Sequence, residues 1–341
     1  MRAIVFERFG DPAEVLSLKD VPVPVPRHGE IRVRMLASPI NPSDLLTIRG
    51  LYGRLPKLPA TPGFEGVGVV QAAGGGWFAR YLVGKRVTVL NGRTGNWCDE
   101  TVIPARQAVP LAADLPVEQA AMFFVNPVTA YLMTRAVLRV PQGAWLLQTA
   151  ANSAVGHMVI RLGRKFGFRT LNVVRRAEQA AALMSLGGDA AVHFDPREHP
   201  AERLRDEVRR IAGDAVVKFA IDAVGGATGS AVALCLGSGG RMLVYGALAD
   251  EPLSISPRTL ITFGAQIEGF WLARWMADSG VAGKLRVVRR VTQLMREGVL
   301  VSNVAATFSL EQIADAVRAV EMPGRQGKVL LRISETVDAP N

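Results

Sequence analysis

The chain has 341 residues, 49% of them hydrophobic and 21% charged, with 34 glycines and 20 prolines spread along it, so a disordered tract is excluded and two domains are expected. Cys98 and Cys235 are its only cysteines, which rules out a disulfide framework; no apolar run approaches the ~20 residues of a membrane span, and no repeat recurs at a fixed period. The net charge of +10 would suit an acidic ligand such as a phosphorylated cofactor or carrier, but the basic residues are scattered apart from clusters such as Arg286, Arg289 and Arg290, and no nucleic-acid recognition motif accompanies them, so no specific nucleic acid is expected.

The chain opens on MRAIVFERFG, which reads as a first strand and lacks the basic-then-apolar profile of a signal peptide, so a cytoplasmic location is the default expectation. Ala3–Phe6, Glu30–Ala37, Gly66–Ala72 and Arg86–Leu90 are β-rich runs separated by Pro and Gly. The texture changes near Pro116. Val117–Leu138 is mostly helical, with an interruption expected at Pro127. Ala144–Ala150 is a buried strand, Ser153–Gly167 a helix, Thr170–Val174 the next strand, and Arg176–Gly188 a helix with a glycine cap. AAVHF, VVKFAIDAV and RMLVYGAL continue the series of strands. Such alternation predicts a parallel sheet covered by helices on both faces. QIEGFWLARW reads as an edge strand running into a helix, Val281–Leu300 as a helix, and Gly327–Ile333 as a final strand. The expected architecture is α/β: a Rossmann-type, doubly wound parallel-sheet domain over 120–266, inserted into a β-rich domain built from 1–119 and completed by 267–341.

The β-α-β stretch beginning at Ala144 has a tight turn where its first strand meets its first helix. Helix N–H groups and the helix dipole can hold a pyrophosphate at such a junction. The G-x-G-x-x-G form is absent; Ala150-Ala151-Asn152-Ser153-Ala154-Val155-Gly156 stands in its place, and only the close-packing Gly156 remains. The second strand ends in Arg175-Arg176. An NAD site would place an acidic residue there for the ribose diol, whereas paired guanidinium groups suit the 2′-phosphate of NADP. The bland alternative is an exposed basic turn.

A metal site is not expected. The four histidines, His28, His157, His193 and His199, pair with no cysteine at ligand spacing, and no group of four cysteines exists. No G-x-S-x-G supports a serine hydrolase. His193 and His199 read as solvated surface residues, Cys98 and Cys235 as packing residues.

Four segments, together with these readings, give the chain its likeness. They are Asn41-Pro42-Ser43-Asp44 with Gly50-Leu51-Tyr52-Gly53; Asn126-Pro127-Val128-Thr129-Ala130-Tyr131; the Ala-Asn-Ser-Ala-Val-Gly turn with Asn172-Val173-Val174-Arg175; and Gly269-Phe270-Trp271-Leu272. In these the chain resembles the zinc-free branch of the medium-chain dehydrogenase/reductase superfamily over nearly its whole length. Within that branch it is most similar to the mitochondrial-type trans-2-enoyl thioester reductases, and next to the quinone oxidoreductases. The resemblance implies a GroES-like catalytic domain around the Rossmann domain, NADPH as cofactor, no zinc, and a homodimer. Asn41 falls where zinc-dependent relatives have a metal-binding cysteine, and Phe64-Glu65 where they have His-Glu.

The resemblance also implies site residues. Tyr52 and Trp271 would be catalytic. Asn41, Asn126, Thr129, Asn152, Ser153, Ala154, Val155, Gly156, Arg175, Arg176, Tyr245, Gly246, Ala247, Leu248, Phe270, Trp271, Leu272, Ala273 and Lys328 would line the cofactor. Arg176 departs from the acidic residue that often follows the first arginine in the family, a change that should strengthen NADP preference. For Tyr52 the alternative is an aromatic packed under a Pro-rich loop, for Trp271 core or dimer packing, and for Lys328 a solvated charge at a strand end. An acyl pocket is expected around Phe123-Phe124 and Trp271–Trp275.

Hydride delivery to the β-carbon of an enoyl thioester pushes negative charge onto the carbonyl oxygen, and a tyrosine hydroxyl can stabilise it. The implied activity is therefore NADPH-dependent reduction of the carbon–carbon double bond of 2-enoyl thioesters, carried by coenzyme A or a carrier protein. The alternatives are a quinone or general enone reductase of the same superfamily and a non-catalytic NADPH-binding protein.

Overall fold

The computed structural model describes residues 1–334 apart from Arg93, Ala112, Ala113 and Pro323. The chain divides into two compact units, Met1–Val125 with Ser302–Asn341, and Asn126–Val301.

The first unit begins with β1 (Arg2–Val5) and β2 (Ser17–Asp20), an antiparallel pair. Its main sheet uses β3 (Glu30–Pro39), β4 (Glu65–Ala73), β5 (Arg86–Leu90), β6 (Glu100–Pro104) and β7 (Ala108–Pro110). The second unit contributes β8 (Trp145–Gln148), β9 (Arg169–Val174), β10 (Ala190–His193), β11 (Phe219–Asp222), β12 (Arg241–Val244) and β13 (Gln266–Gly269). The chain then returns with β14 (Val304–Phe308) and β15 (Lys328–Arg332), giving the first unit's sheet the order β14-β15-β3-β4-β5-β7, with β6 also on β3.

Strand β3 is long enough to serve two partners along one edge. Its N-terminal half pairs with β6 and its last residues with β15, while β4 takes the other edge. The antiparallel register sets Leu330 against Pro39, and Ile40 N–H donates to Val329 O, so Lys328 arrives opposite Asn41. Leu310, Ile313, Val317, Val329 and Leu331 share one core with Ile4, Ile31, Val33, Leu45 and Val89. The discontinuous domain expected from the sequence is thus held by common burial, each fully buried large aliphatic stabilising by about 1.5–3 kcal/mol.

In the second unit all strand pairings are parallel, in the order β10-β9-β8-β11-β12-β13. This doubly wound order reverses direction between β8 and β11, and ligands of such sheets sit outside the carboxyl ends of the strands at that switch point. Strand β8 is buried at every position, which explains the uninterrupted apolar WLL run in the sequence. The helix Ala154–Phe166 buries Val155, Met158, Val159, Ile160 and Leu162, and ends on Gly167 in the left-handed region. That spacing is the apolar stripe of a helix laid on a sheet.

The unit boundaries lie at 125/126 and 301/302, where the sequence placed them at 119/120 and 266/267. On the C-terminal side the reason is pairing: β13 bonds β12 along its length, and Val287, Val291, Leu294 and Met295 of the helix Val281–Arg296 are buried. Residues 335–341 of the expected C-terminal part fall outside the described residues. The expected break at Pro127 also moves. The helical run stops after Ala121 and restarts at Val125, so Pro127 sits in the first turn of Val125–Tyr131, where its missing N–H costs nothing. A π-helical stretch, Leu132–Val137, follows.

Candidate active site

Apart from Asn126 and Thr129, which are buried in the helix Val125–Tyr131, the cofactor residues expected in the second unit follow the carboxyl ends of its strands. Asn152–Gly156 follow β8, Arg175 and Arg176 follow β9, Tyr245–Leu248 follow β12, and Phe270–Leu272 follow β13. A parallel sheet makes this inevitable, because all its carboxyl ends point the same way.

The turn after β8 is built for close approach. Ala150 takes a positive φ of 47°, uncommon for a residue with a Cβ. Ser153 caps the following helix, its hydroxyl accepting the Gly156 N–H at 3.1 Å. A Cβ on Gly156 would stand 2.2 Å from Ala151 O, so no other residue fits without moving the turn. Beneath it, Gln148 Nε2 donates to Gly156 O and, at 2.7 Å, to Asn172 Oδ1, while Asn172 Nδ2 donates to Ala190 O, tying β8, β9 and β10 together.

Asp222 closes the switch point. It accepts the Thr149 hydroxyl at 2.6 Å and the N–H groups of Val224 and Gly225. Neither Asp222 nor Thr149 was singled out in the sequence; an acidic residue ending an apolar strand was the available signal. Next to it, a Cβ on Gly246 would meet Ala223 O at 2.6 Å. Burial pushes the Tyr245 hydroxyl well above the usual phenol range, helped by the Asp222 charge and opposed by Ser153.

Arg175 is exposed and Arg176 half-buried, its guanidinium 3.3 Å from Glu178. His193 is half-buried and donates from Nε2 to Arg175 O at 3.0 Å, with His199 edge-on at 5.1 Å. His193 thus keeps its place at the surface and also braces the arginine turn, because β10 runs parallel to β9 and ends beside it. Cys98 and Cys235 are buried packing residues, as expected, and burial pushes both thiols up to about 12. Trp271 is 41% exposed at the N-terminus of the helix Leu272–Asp278. Phe123 and Phe124, by contrast, are 0% and 2% exposed and pack edge-on at 5.3 Å, a sealed pair with no face open to an acyl chain.

The first unit holds Asn41, Tyr52 and Lys328. Tyr52 lies in the bend after the helix Pro42–Ile48, with its ring 5.2 Å from that of Phe64. Phe64 also lines a small, partly open cavity with Asp44, Thr47, Arg54 and Asn91. Lys328 is no solvated strand end: it is 4% exposed, and its ammonium donates to Ile40 O at 3.1 Å and to Asn41 Oδ1.

Two carboxylates that sequence reasoning left without a role complete this cluster. Glu65 accepts Asn41 Nδ2 at 2.9 Å on one oxygen and the N–H groups of Phe124 and Val125, both at 2.9 Å, on the other. Asp44 accepts Asn41 N–H at 2.7 Å and Phe64 N–H at 2.9 Å. Burial pushes Asp44 up to about 7 and raises Glu65, against their N–H donors and the Lys328 charge. Burial likewise lowers Lys328 to about 8, against the Glu65 and Asp44 charges. The Lys328 charge thus favours the ionised form of both carboxylates, and theirs favours its ammonium, against the common cost of burial. Among the described residues no group of three or more His, Cys, Asp or Glu side chains is placed to hold a metal ion, and no helix is long and apolar enough to cross a membrane.

Comparison with known proteins is consistent across the chain. Residues 27–113 match the alcohol dehydrogenase GroES-like domain family and residues 154–283 the zinc-binding dehydrogenase family. The mitochondrial enoyl-[acyl-carrier-protein] reductase of Xenopus tropicalis is 32% identical over 97% of this chain and 95% of its own. Its human counterpart is 33% identical over 97% and 88%. Among solved structures, a Bacillus thuringiensis protein named for a proposed NADPH:quinone reductase activity superposes with a TM-score of 0.90 at 30% identity, covering 98% of this chain and 99% of its own. A mycobacterial protein solved in complex with NADPH gives 0.87 at 25% identity, covering 97% and 100%.

Proposed function

Because the chain belongs to the medium-chain dehydrogenase/reductase family, we propose that this oxidoreductase uses NADPH to reduce the carbon–carbon double bond of 2-enoyl thioesters presented by coenzyme A or an acyl carrier protein. The observation that carries the cofactor assignment is the turn at Ala150–Gly156, where a Cβ on Gly156 would meet Ala151 O at 2.2 Å. Such a turn lets a pyrophosphate approach the N-terminus of the helix Ala154–Phe166 as closely as backbone allows. Gly246, where a Cβ would meet Ala223 O at 2.6 Å, leaves the neighbouring loop equally without a side chain, and Arg175 with Arg176 offers guanidinium groups to a 2′-phosphate. The residues present fit a phosphorylated dinucleotide.

When bound, NADPH supplies the hydride that the β-carbon accepts. The protein's part is to stabilise the charge that then develops on the thioester oxygen. Tyr52 is assigned that role: its hydroxyl donates to the enolate oxygen and can relay a proton to the α-carbon, completing the saturated product. Asn41, whose amide is already spent between Lys328 and Glu65, stands in this reading as a structural member of a zinc-free site.

Cofactor preference tests the arginine turn. Arg175→Ala combined with Arg176→Ala is expected to weaken NADPH binding ~100-fold or more and leave NADH binding nearly unchanged, as titration of nucleotide fluorescence would register. Equal weakening of both nucleotides would remove the arginines from the 2′-phosphate site. A homodimer through the outer edge of β13 is part of the proposal, since Ile261, Phe263 and Trp271 are exposed close to it in sequence. Light scattering should return twice the chain mass; the mass of a single chain would contradict it.

The second reading is a quinone or enone reductase, favoured by the name of the Bacillus thuringiensis relative. It shares cofactor and fold and differs in the acceptor. A non-catalytic nucleotide-binding protein is the third, and any turnover removes it.

A further inference from the structure

We infer that Lys328, Asn41 and Glu65 form one positioning device that sets the peptide leading into Asn126 and Thr129. This rests on reading Asn126 and Thr129 as cofactor contacts.

The three side chains are 4%, 1% and 0% exposed. Their hydrogen bonds can run in only one direction. An ammonium only donates and an ionised carboxylate only accepts, so the amide between them must turn its oxygen to Lys328 and its nitrogen to Glu65. With one oxygen occupied by Asn41, Glu65 spends the other on Phe124 N–H and Val125 N–H. Those are donors at the start of the helix Val125–Tyr131, which has no carbonyl of its own to satisfy them. Asn126 is the next residue in the chain, and Thr129 follows within a helical turn.

Burial separates this arrangement from an ordinary cap. A lone Glu65 would lose its charge in that environment. The Lys328 charge opposes that loss, and Asp44, with both oxygens taken by backbone N–H groups of Asn41 and Phe64, holds Asn41 in place from the other side. Four separate segments of the first unit, at 41–44, 64–65, 124–125 and 328, are thereby locked in one geometry. Lys328 and Glu65 act through this chain and need not touch the cofactor. Small displacements of binding groups carry large consequences, ~100-fold for about 1 Å.

Glu65→Gln breaks the chain whichever way it turns. If its oxygen keeps the two N–H groups, its nitrogen faces Asn41, whose amide must flip and point a donor at Lys328. The test measures NADPH Kd and Tm for the wild type, Glu65→Gln, Lys328→Met and the double variant. Each single change is expected to raise Kd ~10-fold or more, and the double to lie within ~2-fold of the weaker-binding single. Unchanged Kd with lowered Tm would reduce the cluster to packing. Multiplying effects would make Lys328 a contact of its own. Wild type that binds no NADPH would instead defeat the proposed function on which this stands. If Glu65→Gln does not fold, Asn41→Ser interrupts the same chain at its middle and must raise Kd likewise, with unchanged Kd overturning the idea.

Discussion

Tyr52→Phe is expected to lower kcat on a 2-enoyl-CoA by ~100-fold or more, equivalent to about 2.7–4 kcal/mol of transition-state stabilisation, while NADPH affinity stays within ~3-fold of wild type. The substitution is well matched to the question. Phe retains the ring that packs at 5.2 Å from Phe64, so the bend after the helix Pro42–Ile48 keeps its aromatic contact. Only the hydroxyl is lost, and with it the donor assigned to the enolate oxygen. Stopped-flow measurement of NADPH consumption separates the chemical step from product release. Wild-type rates in the variant would return Tyr52 to a packing role under the Pro-rich loop that follows it.

Gly156→Ala should raise the Kd of NADPH and of NADH alike, by ~100-fold or more, in contrast to the arginine pair, which is expected to affect NADPH alone. The new methyl would stand 2.2 Å from Ala151 O and 2.6 Å from Ala151 C, both backbone atoms with no flexible end to give way. Alanine improves helix propensity by about 1 kcal/mol over glycine, but the overpacking here costs about 1–3 kcal/mol and shifts the turn that the pyrophosphate would meet. Tm is therefore expected to fall slightly while nucleotide binding collapses. A variant that binds both nucleotides normally would show that the turn is not the phosphate site.

The features legible in the sequence were those with a period or a local signature. The apolar strands of the second unit, separated by helical runs, announce a parallel sheet; Gly156 and the paired arginines mark its switch-point turn. The discontinuous first domain also followed from the apolar GKVLLRI run at the chain's end. Less visible were features that depend on partners far apart in sequence. Lys328 at a strand end looks solvated, and only the register of β15 on β3 brings it opposite Asn41 and under cover. Glu65 in GFEGVGVV carries no sign that its carboxylate will meet the N–H groups of Phe124 and Val125, some sixty residues on. Asp222 likewise reads as the polar end of a strand until Thr149 reaches it from the neighbouring β8. The break near Pro127 was misplaced because proline interrupts a helix only beyond its first turn, and the sequence did not reveal that Val125 begins one.

The acceptor is the centre of the account, and steady-state NADPH consumption by the wild-type protein tests it most directly, with crotonyl-CoA, a longer 2-enoyl-CoA and a simple quinone compared in parallel. An enoyl-CoA is expected to be turned over with a kcat/KM well above that of the quinone, giving the saturated thioester as product. Turnover of the quinone with both enoyl thioesters untouched would contradict it and make this chain a quinone reductase on the same fold.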